Sequence, residues 1–149
     1  MDLIRARAAF GSGGGQDAWA GRDVQDLLAR GLATKRLSFV VSGALADPEY
    51  ALSLENARLV FGLAMAAGES LPRGGIVTVI AGGDADRPTL AAMAEGERAE
   101  IRDEAEAALA GAAPEPRAAH LHLLLTRAKA ADRQISAECD GQKAIWKAA

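Results

Sequence analysis

The strongest constraint on the fold is one continuous pattern between residues 54 and 80. Residues 54–71 give the longest predicted helix. One face of this helix carries Leu59, Gly62, Leu63, Ala66 and Ser70. The helix ends in the breakers Pro72, Gly74 and Gly75, and a run of β-forming residues follows at 76–80. The small residues on the helix face predict that the helix lies close on a sheet.

Local patterns predict the remaining elements. Helices are expected at residues 23–30, 101–110 and 117–130, the last with a buried stripe of Leu121, Leu124 and Leu125. Strands are expected at residues 37–41, 134–139 and 143–147, with a weaker strand at 89–94 that pairs back on 76–80. Turns are expected at Asp47-Pro48, which also starts a helix, at Gly82-Gly83-Asp84, and at the hairpin dipeptide Asp140-Gly141. Helices segregated over a mostly antiparallel sheet predict a two-layer α+β sandwich.

The length of 149 residues suits a single domain. Leu3 to Phe10 has the pattern of the last turns of a helix, and a glycine tract at residues 11–15 ends it. No Lys-Ser or Lys-Thr follows this tract, so we interpret it as a linker rather than a phosphate-binding loop. We expect residues 1–15 to be a remnant of an upstream helix plus linker, and residues 16–149 to form the domain.

Composition excludes several classes of function. The net charge is -3 and the basic residues alternate with acids, which argues against a nucleic-acid partner. The single cysteine, Cys139, rules out an internal disulfide or a cysteine-based zinc cage, and we interpret it as a small apolar residue at a strand end. Arg5 and Arg7 interrupt the first apolar stretch, so it does not resemble a signal peptide. No apolar run reaches the ~18 residues of a membrane span. We expect a cytoplasmic protein.

Candidate catalytic residues are few. His120 and His122 are the two histidines, and on a helix their spacing points them to different faces, where they cannot share a metal. The neighbours Ala118, Ala119 and Leu121 offer no acid to orient the ring of His120. We therefore predict no catalytic residue, no metal site and no cofactor. Trp19 and Trp146 are interpreted as core or rim residues.

Residues 57–79 resemble the helix-turn-strand of histidine-kinase ATPase domains. In those kinases the helix carries two asparagines, one turn apart, that hold Mg²⁺ and the phosphates. Aligning the Leu71-Pro72-Arg73-Gly74-Gly75 turn places Gly62 and Ala66 where the two asparagines would stand. Ala81-Gly82-Gly83-Asp84 is a turn in the wrong place for the adenine-binding motif. The resemblance therefore implies a degenerate Bergerat-type ATPase fold, with a mixed, mostly antiparallel sheet, that has lost its nucleotide.

This combination is similar to the carboxy-terminal domain of the ChpT-type histidine phosphotransferases of alphaproteobacterial phosphorelays. In that family a helical hairpin dimerises and carries the phosphorylated histidine, and the ATPase-like domain follows it. The resemblance implies as partners a response-regulator receiver domain and the receiver of a hybrid kinase. The hairpin with its phosphoacceptor has no counterpart here, so His120 and His122 do not inherit that role, and the oligomeric state is left open.

Three functions remain at this point. The first is a non-catalytic domain of a phosphorelay protein that adds a secondary contact to receivers. The second is an enzyme, either a residual ATPase or kinase or a hydrolase using His120 with partners that converge only in space. The third is a stand-alone interaction module that sequesters a regulator. A stabilising effect of ATP and Mg²⁺ would favour the second function.

Overall fold

A computed structural model describes residues 18–83, 87–112 and 118–149 of the chain. The predicted helix end at Leu3 to Phe10, the glycine tract and Asp84 lie outside these residues, and so does the start of the helix predicted at 117. Within the described part of the chain, no helix combines the length and apolar character that a membrane crossing requires.

Helices and strands follow one another in an α+β order. The strands are β1 (Ala18–Ala20), β2 (Leu37–Gly43), β3 (Ala51–Ser53), β4 (Gly75–Gly83), β5 (Pro88–Glu95), β6 (Ile135–Cys139) and β7 (Lys143–Ala148). The helices are α1 (Gly21–Leu27), which continues into a π-helical turn at Leu28–Leu32, α2 (Leu54–Glu69), α3 (Asp103–Leu109) and α4 (Ala119–Ala130), with a 3₁₀ turn at Ala44–Ala46.

Five strands form the main sheet in the order β2-β4-β5-β7-β6. The pair β2–β4 is parallel, and the pairs β4–β5, β5–β7 and β6–β7 are antiparallel. The expectation of a mixed, mostly antiparallel sheet is therefore confirmed. A separate two-stranded sheet joins β1 to β3. Three-residue strands from distant segments carry little sequence signal, and this small sheet was not predicted.

The hydrophobic core lies between one face of the main sheet and helix α2. Along β5 the inward residues are buried while their neighbours are more exposed, as strand alternation requires. The side chains that α2 buries are Ala57, Leu59, Val60, Phe61, Leu63, Ala64, Ala66 and Ala67. Helix α4 packs on α2, and the closing hairpin β6–β7 turns at Asp140 and Gly141 as predicted. The fold is the predicted two-layer sandwich.

The prediction that a helix starts at Asp47-Pro48 is wrong, although the turn is present. The carboxylate of Asp47 accepts the Glu49 N–H at 2.9 Å, and the Tyr50 carbonyl accepts the Gly21 N–H at 2.7 Å. These hydrogen bonds stabilise a turn in this segment, and β3 follows the turn. The long helix begins at Leu54 because the Ser53 hydroxyl accepts the Asn56 N–H at 3.1 Å, an N-cap.

Strand β5 is more central than its alanine-rich sequence predicted. It pairs with β4 along one edge and with β7 along the other. Gly82 and Gly83 belong to β4 rather than to a turn, since they pair with Thr89 and Pro88. Small side chains at Ala92 and Ala94 leave room for the helix above the sheet, so packing outweighs the low strand propensity of alanine.

Candidate functional site

Helix α4 packs closely against α2 at Gly62, the position that the sequence resemblance matched to the first kinase asparagine. A Cβ atom added to Gly62 would lie 2.7 Å from Leu124 Cδ1 and 3.3 Å from both Leu124 Cβ and Cγ. Such distances are shorter than van der Waals contact, so only glycine lets α4 approach this closely. The prediction that the small residue faces the sheet is wrong at Gly62: it faces α4. A side chain of asparagine size would require the Leu124 side chain to move.

The second matched position, Ala66, lines a small cavity at the end of α2. The cavity holds only about 20 Å³ of space. A cavity of this size accommodates about one water molecule, whereas sites for small-molecule ligands typically run to ~300 Å³ or more. Its other walls include Ser70, Leu121 and Trp146. Neither Gly62 nor Ala66 supplies a polar side chain that could bind Mg²⁺ or a phosphate group.

Trp146 of β7 and Ser70 at the end of α2 close this cavity from the core side. The indole Nε1 donates to Ser70 Oγ at 2.9 Å, and the Ser70 hydroxyl donates to the Ala66 carbonyl at 3.1 Å. Both side chains are buried. The indole therefore fills space next to Ala66 with its polar group satisfied, and the interpretation of Trp146 as a core residue is confirmed. Trp19 is only partly buried and meets Phe61 edge-on, with ring centroids 6.2 Å apart.

His120 has an acidic partner, contrary to the prediction. Its Nε2 lies 3.0 Å from Glu69 Oε2. The sequence neighbours of His120 offered no acid because the carboxylate comes from α2, a different helix. A carboxylate beside an imidazole can fix the ring orientation and its tautomer, as in acid–base pairs. Here the pair borders the small cavity, which has no room for a substrate.

His122 lies on another face of α4, as the helical spacing predicted. Its carbonyl accepts the Thr126 hydroxyl at 2.9 Å, and it does not line the cavity beside His120. Within residues 18–83, 87–112 and 118–149, no three His, Cys, Asp or Glu side chains are arranged to hold a metal ion. Cys139 ends β6 as predicted, but it is exposed, and its thiol donates to the Ala99 carbonyl at 3.0 Å.

Comparison with known proteins identifies the family. The family model described as the histidine phosphotransferase C-terminal domain matches residues 21–143, which is most of the chain. This chain belongs to that family. No curated protein sequence matches it.

Solved structures with a similar fold include both a phosphotransferase and histidine kinases. A structure titled as a bacterial phosphotransferase aligns with a TM-score of 0.84 and 22% identity, over 99% of this chain and 71% of its own. The catalytic domain of histidine kinase ThkA aligns with a TM-score of 0.62 and 11% identity, over 88% and 92% of the two chains. The kinase domain of the Escherichia coli osmosensor EnvZ aligns at 0.54 and 13%, over 90% and 89%. The histidine phosphotransferase domain thus has the histidine-kinase ATPase fold.

The sequence analysis also missed a groove between α2 and α4. Arg58 of α2 and Arg127 of α4 line one groove between these helices, together with His120 and the apolar side chains Met65 and Leu123. Burial lowers the pKa of Arg127, and the positive charge of Arg58 lowers it further. The two arginines are far apart in the sequence, so no local motif could have indicated that they share a groove.

Proposed function

We propose that this histidine phosphotransferase domain is a non-catalytic docking domain of a two-component phosphorelay. On this proposal it binds a response-regulator receiver domain, or the receiver of a hybrid kinase, in the cytoplasm and without nucleotide. The observation that carries the proposal is the close approach of Leu124 to Gly62, because α4 then covers the position that the resemblance matches to a nucleotide-binding asparagine. Family membership supports the choice of receivers as partners.

The proposal includes the loss of ATP binding. Retention of the kinase fold with Gly62 and Ala66 at the matched positions supports a role for the domain's surface rather than for a bound cofactor. ATP with Mg²⁺ should leave the melting temperature unchanged, since a ligand stabilises a protein only by binding its folded state. A rise of the melting temperature that grows with ATP concentration would contradict this part of the proposal.

On this proposal no residue of the chain carries the phosphoryl group. His120 is the residue to test, because Glu69 lies beside it as an orienting carboxylate would. We expect no phosphohistidine after incubation with phosphoramidate, measured by intact mass under alkaline conditions. The matched variant His120→Gln should likewise show no mass increase from a phosphoryl group. A mass increase of one phosphoryl group that His120→Gln abolishes would show a catalytic role instead.

Receiver docking is tested directly by isothermal titration calorimetry. The receiver domain of the response regulator and that of the hybrid kinase are each titrated into this domain, with and without ATP and Mg²⁺. A weak complex, in the high-micromolar range, that does not depend on ATP is expected. Absence of heat with both receivers at millimolar concentration would contradict the docking role.

A stand-alone module that sequesters another regulator is the second candidate. The observation in its favour is the outer face of the main sheet, where the large apolar residues Val40 and Ile76 are 47% and 50% exposed on the neighbouring strands β2 and β4. Exposed apolar residues that lie close together are typical of protein-binding surfaces. A partner that is not a receiver, and whose binding is lost in the Val40→Ser, Ile76→Ser variant, would favour this candidate over the first.

A further inference from the structure

Strand β2 lies at one edge of the main sheet. It pairs with β4 along one side, in the parallel register that sets Leu37 opposite Gly75. The Gly75 N–H donates to the Arg36 carbonyl at 2.8 Å, so the backbone groups of every second residue from Arg36 onward point toward β4. The N–H and C=O groups of Phe39 and Val41 therefore point away from β4. None of these four groups has a hydrogen-bond partner among the described residues.

The sequence of β2 lacks the features that keep an edge strand from pairing with another chain. Its seven residues, Leu37–Gly43, include no charged residue and no proline. Charged side chains and prolines are the usual protection of an exposed edge. The strand at the opposite edge of the sheet, β6, has this protection in the exposed charge of Glu138. Of the two edges, β2 is therefore the one that favours pairing with a further strand.

An open groove lies beside the edge of β2. It has about 340 Å³ of space and is lined by Gln25, Leu28, Phe39, Val40 and Val41. The lining comes from β2 and from α1 with its π-helical turn, and four of these five residues are apolar. Apolar side chains of an added strand would leave water by packing in this groove while their backbone pairs with β2.

The residues of β2 are complementary to the same residues in the reverse direction. In an antiparallel pair with its two-fold axis at Val40, Phe39 of each copy lies opposite Val41 of the other. The two free N–H groups of each copy then donate to the two free C=O groups of the other, which gives four hydrogen bonds in the pair. Phe39 with Val41 is a favourable aromatic and β-branched cross-strand pair, and no like charges face each other.

We propose that β2 pairs antiparallel with β2 of a second copy of this chain, which joins two five-stranded sheets into one continuous sheet. The pairing covers Val40, which is 47% exposed in the single copy. One short strand on another buries less than the ~800 Å² per partner of a standard interface, so we expect a weak dimer that dissociates on dilution. This inference goes beyond the proposed docking function and does not depend on it.

The test is sedimentation equilibrium of the whole chain at concentrations from about 10 μM to about 1 mM, with two matched variants. Val40→Lys sets two lysines opposite each other at the two-fold axis. Ile76→Lys is the control, because Ile76 is 50% exposed on the same face of the sheet but belongs to β4, which has a strand on both sides.

We expect the average mass of the wild type to rise with concentration. Val40→Lys should raise the dissociation constant of the dimer at least about tenfold, and Ile76→Lys should leave it nearly unchanged. Circular dichroism checks that both variants are folded. A wild type that stays monomeric up to about 1 mM would overturn the inference. Equal weakening by both variants would also overturn it, since the outer face of the sheet and not its edge would then form the contact.

A second measurement uses the wild type alone and does not depend on the variants. Hydrogen exchange of single amides is followed by NMR at low and at high protein concentration. The amides of Phe39 and Val41 should exchange more slowly at high concentration, whereas those of Ser38 and Val40, which point toward β4, should change less. A dimer that leaves Phe39 and Val41 unprotected would overturn the inference.

The same amides distinguish this inference from the docking function. If the chain alone stays monomeric and a receiver protects Phe39 and Val41, the occupant of the edge is a strand of the receiver. The second-copy proposal then fails and receiver docking stands. If the β2 dimer forms and neither receiver gives heat in the calorimeter, the docking function fails and this inference stands.

Discussion

Gly62 and Leu124 are so close that a Cβ atom on Gly62 would lie 2.7 Å from Leu124 Cδ1. This contact joins the two helices of the outer layer at the position where the family resemblance placed a nucleotide-binding asparagine. On the proposal above, glycine at this position both takes away a ligand side chain and lets α4 cover the surface from which that side chain would project. The proposed loss of the ligand and the approach of α4 are then one structural change.

Gly62→Asn should destabilise the domain by about 1–3 kcal/mol, the usual range for overpacking a well-packed contact. The asparagine side chain must displace Leu124, and the displacement outweighs the better helix propensity of asparagine over glycine. The free energy of unfolding, measured by urea denaturation and circular dichroism, checks this.

The matched control for this prediction is the same substitution in a Leu124→Ala background. There the obstructing side chain is already gone, so Gly62→Asn should cost clearly less than in the wild type. Equal costs in both backgrounds would mean that Leu124 is not what excludes a side chain at this position.

Ser70→Ala should destabilise the domain by about 1–3 kcal/mol, because it leaves the buried indole N–H of Trp146 without an acceptor. In a Trp146→Phe background there is no N–H to satisfy, so the same substitution should cost less. Urea denaturation followed by circular dichroism measures all four proteins, since the Trp146 variants alter fluorescence. A coupling energy near zero would contradict a structural role for this hydrogen bond.

Much of the fold could be predicted from the sequence because its elements leave local signals. The periodicity of α2, the breakers after it, the strand run of β4 and the Asp140-Gly141 hairpin are all local, and all four are present. The strands β1 and β3 could not be predicted in this way, since each has three residues and is stabilised by its distant partner. The sequence analysis underestimated the burial of strand β5, because that burial depends on β4 and β7, which pair with it on its two sides.

The candidate site was less predictable than the fold. The match of Gly62 and Ala66 to the asparagine positions comes from resemblance and stays a prediction, whereas the approach of α4 to Gly62 depends on tertiary packing. His120 was predicted to lack an acidic partner, since Glu69 lies far from it in the sequence. Arg58 and Arg127 share a groove for the same reason. Contacts between helices depend on how the helices pack, and neither periodicity nor spacing specifies that.

Gly74→Ala should destabilise the domain by more than Gly111→Ala does. Both glycines have positive φ, +84° and +96°, so alanine is strained at either position. A Cβ at Gly74 would also lie 2.4 Å from the Arg36 carbonyl oxygen, whereas a Cβ at Gly111 would meet nothing within 4 Å. The difference between the two free energies of unfolding therefore reports the close approach of Arg36 to Gly74. Equal losses would show that conformation, and not the approach of Arg36, requires glycine in the turn after α2.

Asp140→Asn should remove part of the pH dependence of stability at acidic pH. The N–H groups of Gln142 and Lys143 donate to Asp140 Oδ1 at 3.1 Å and 2.9 Å, and these bonds lower the pKa of its carboxyl. A pKa that is lower in the folded state stabilises the protein above the unfolded value of about 3.9, and this contribution is lost as the pH falls through the folded value. The wild type should therefore exceed Asp140→Asn in stability at neutral pH, and the difference should shrink below about pH 4.

Urea midpoints of the two proteins from about pH 7 to about pH 2.5 test this, with Glu97→Gln as a control that removes an exposed carboxylate from another loop. A difference that stays constant over this range would mean that Asp140 does not bind its proton differently in the folded and unfolded states.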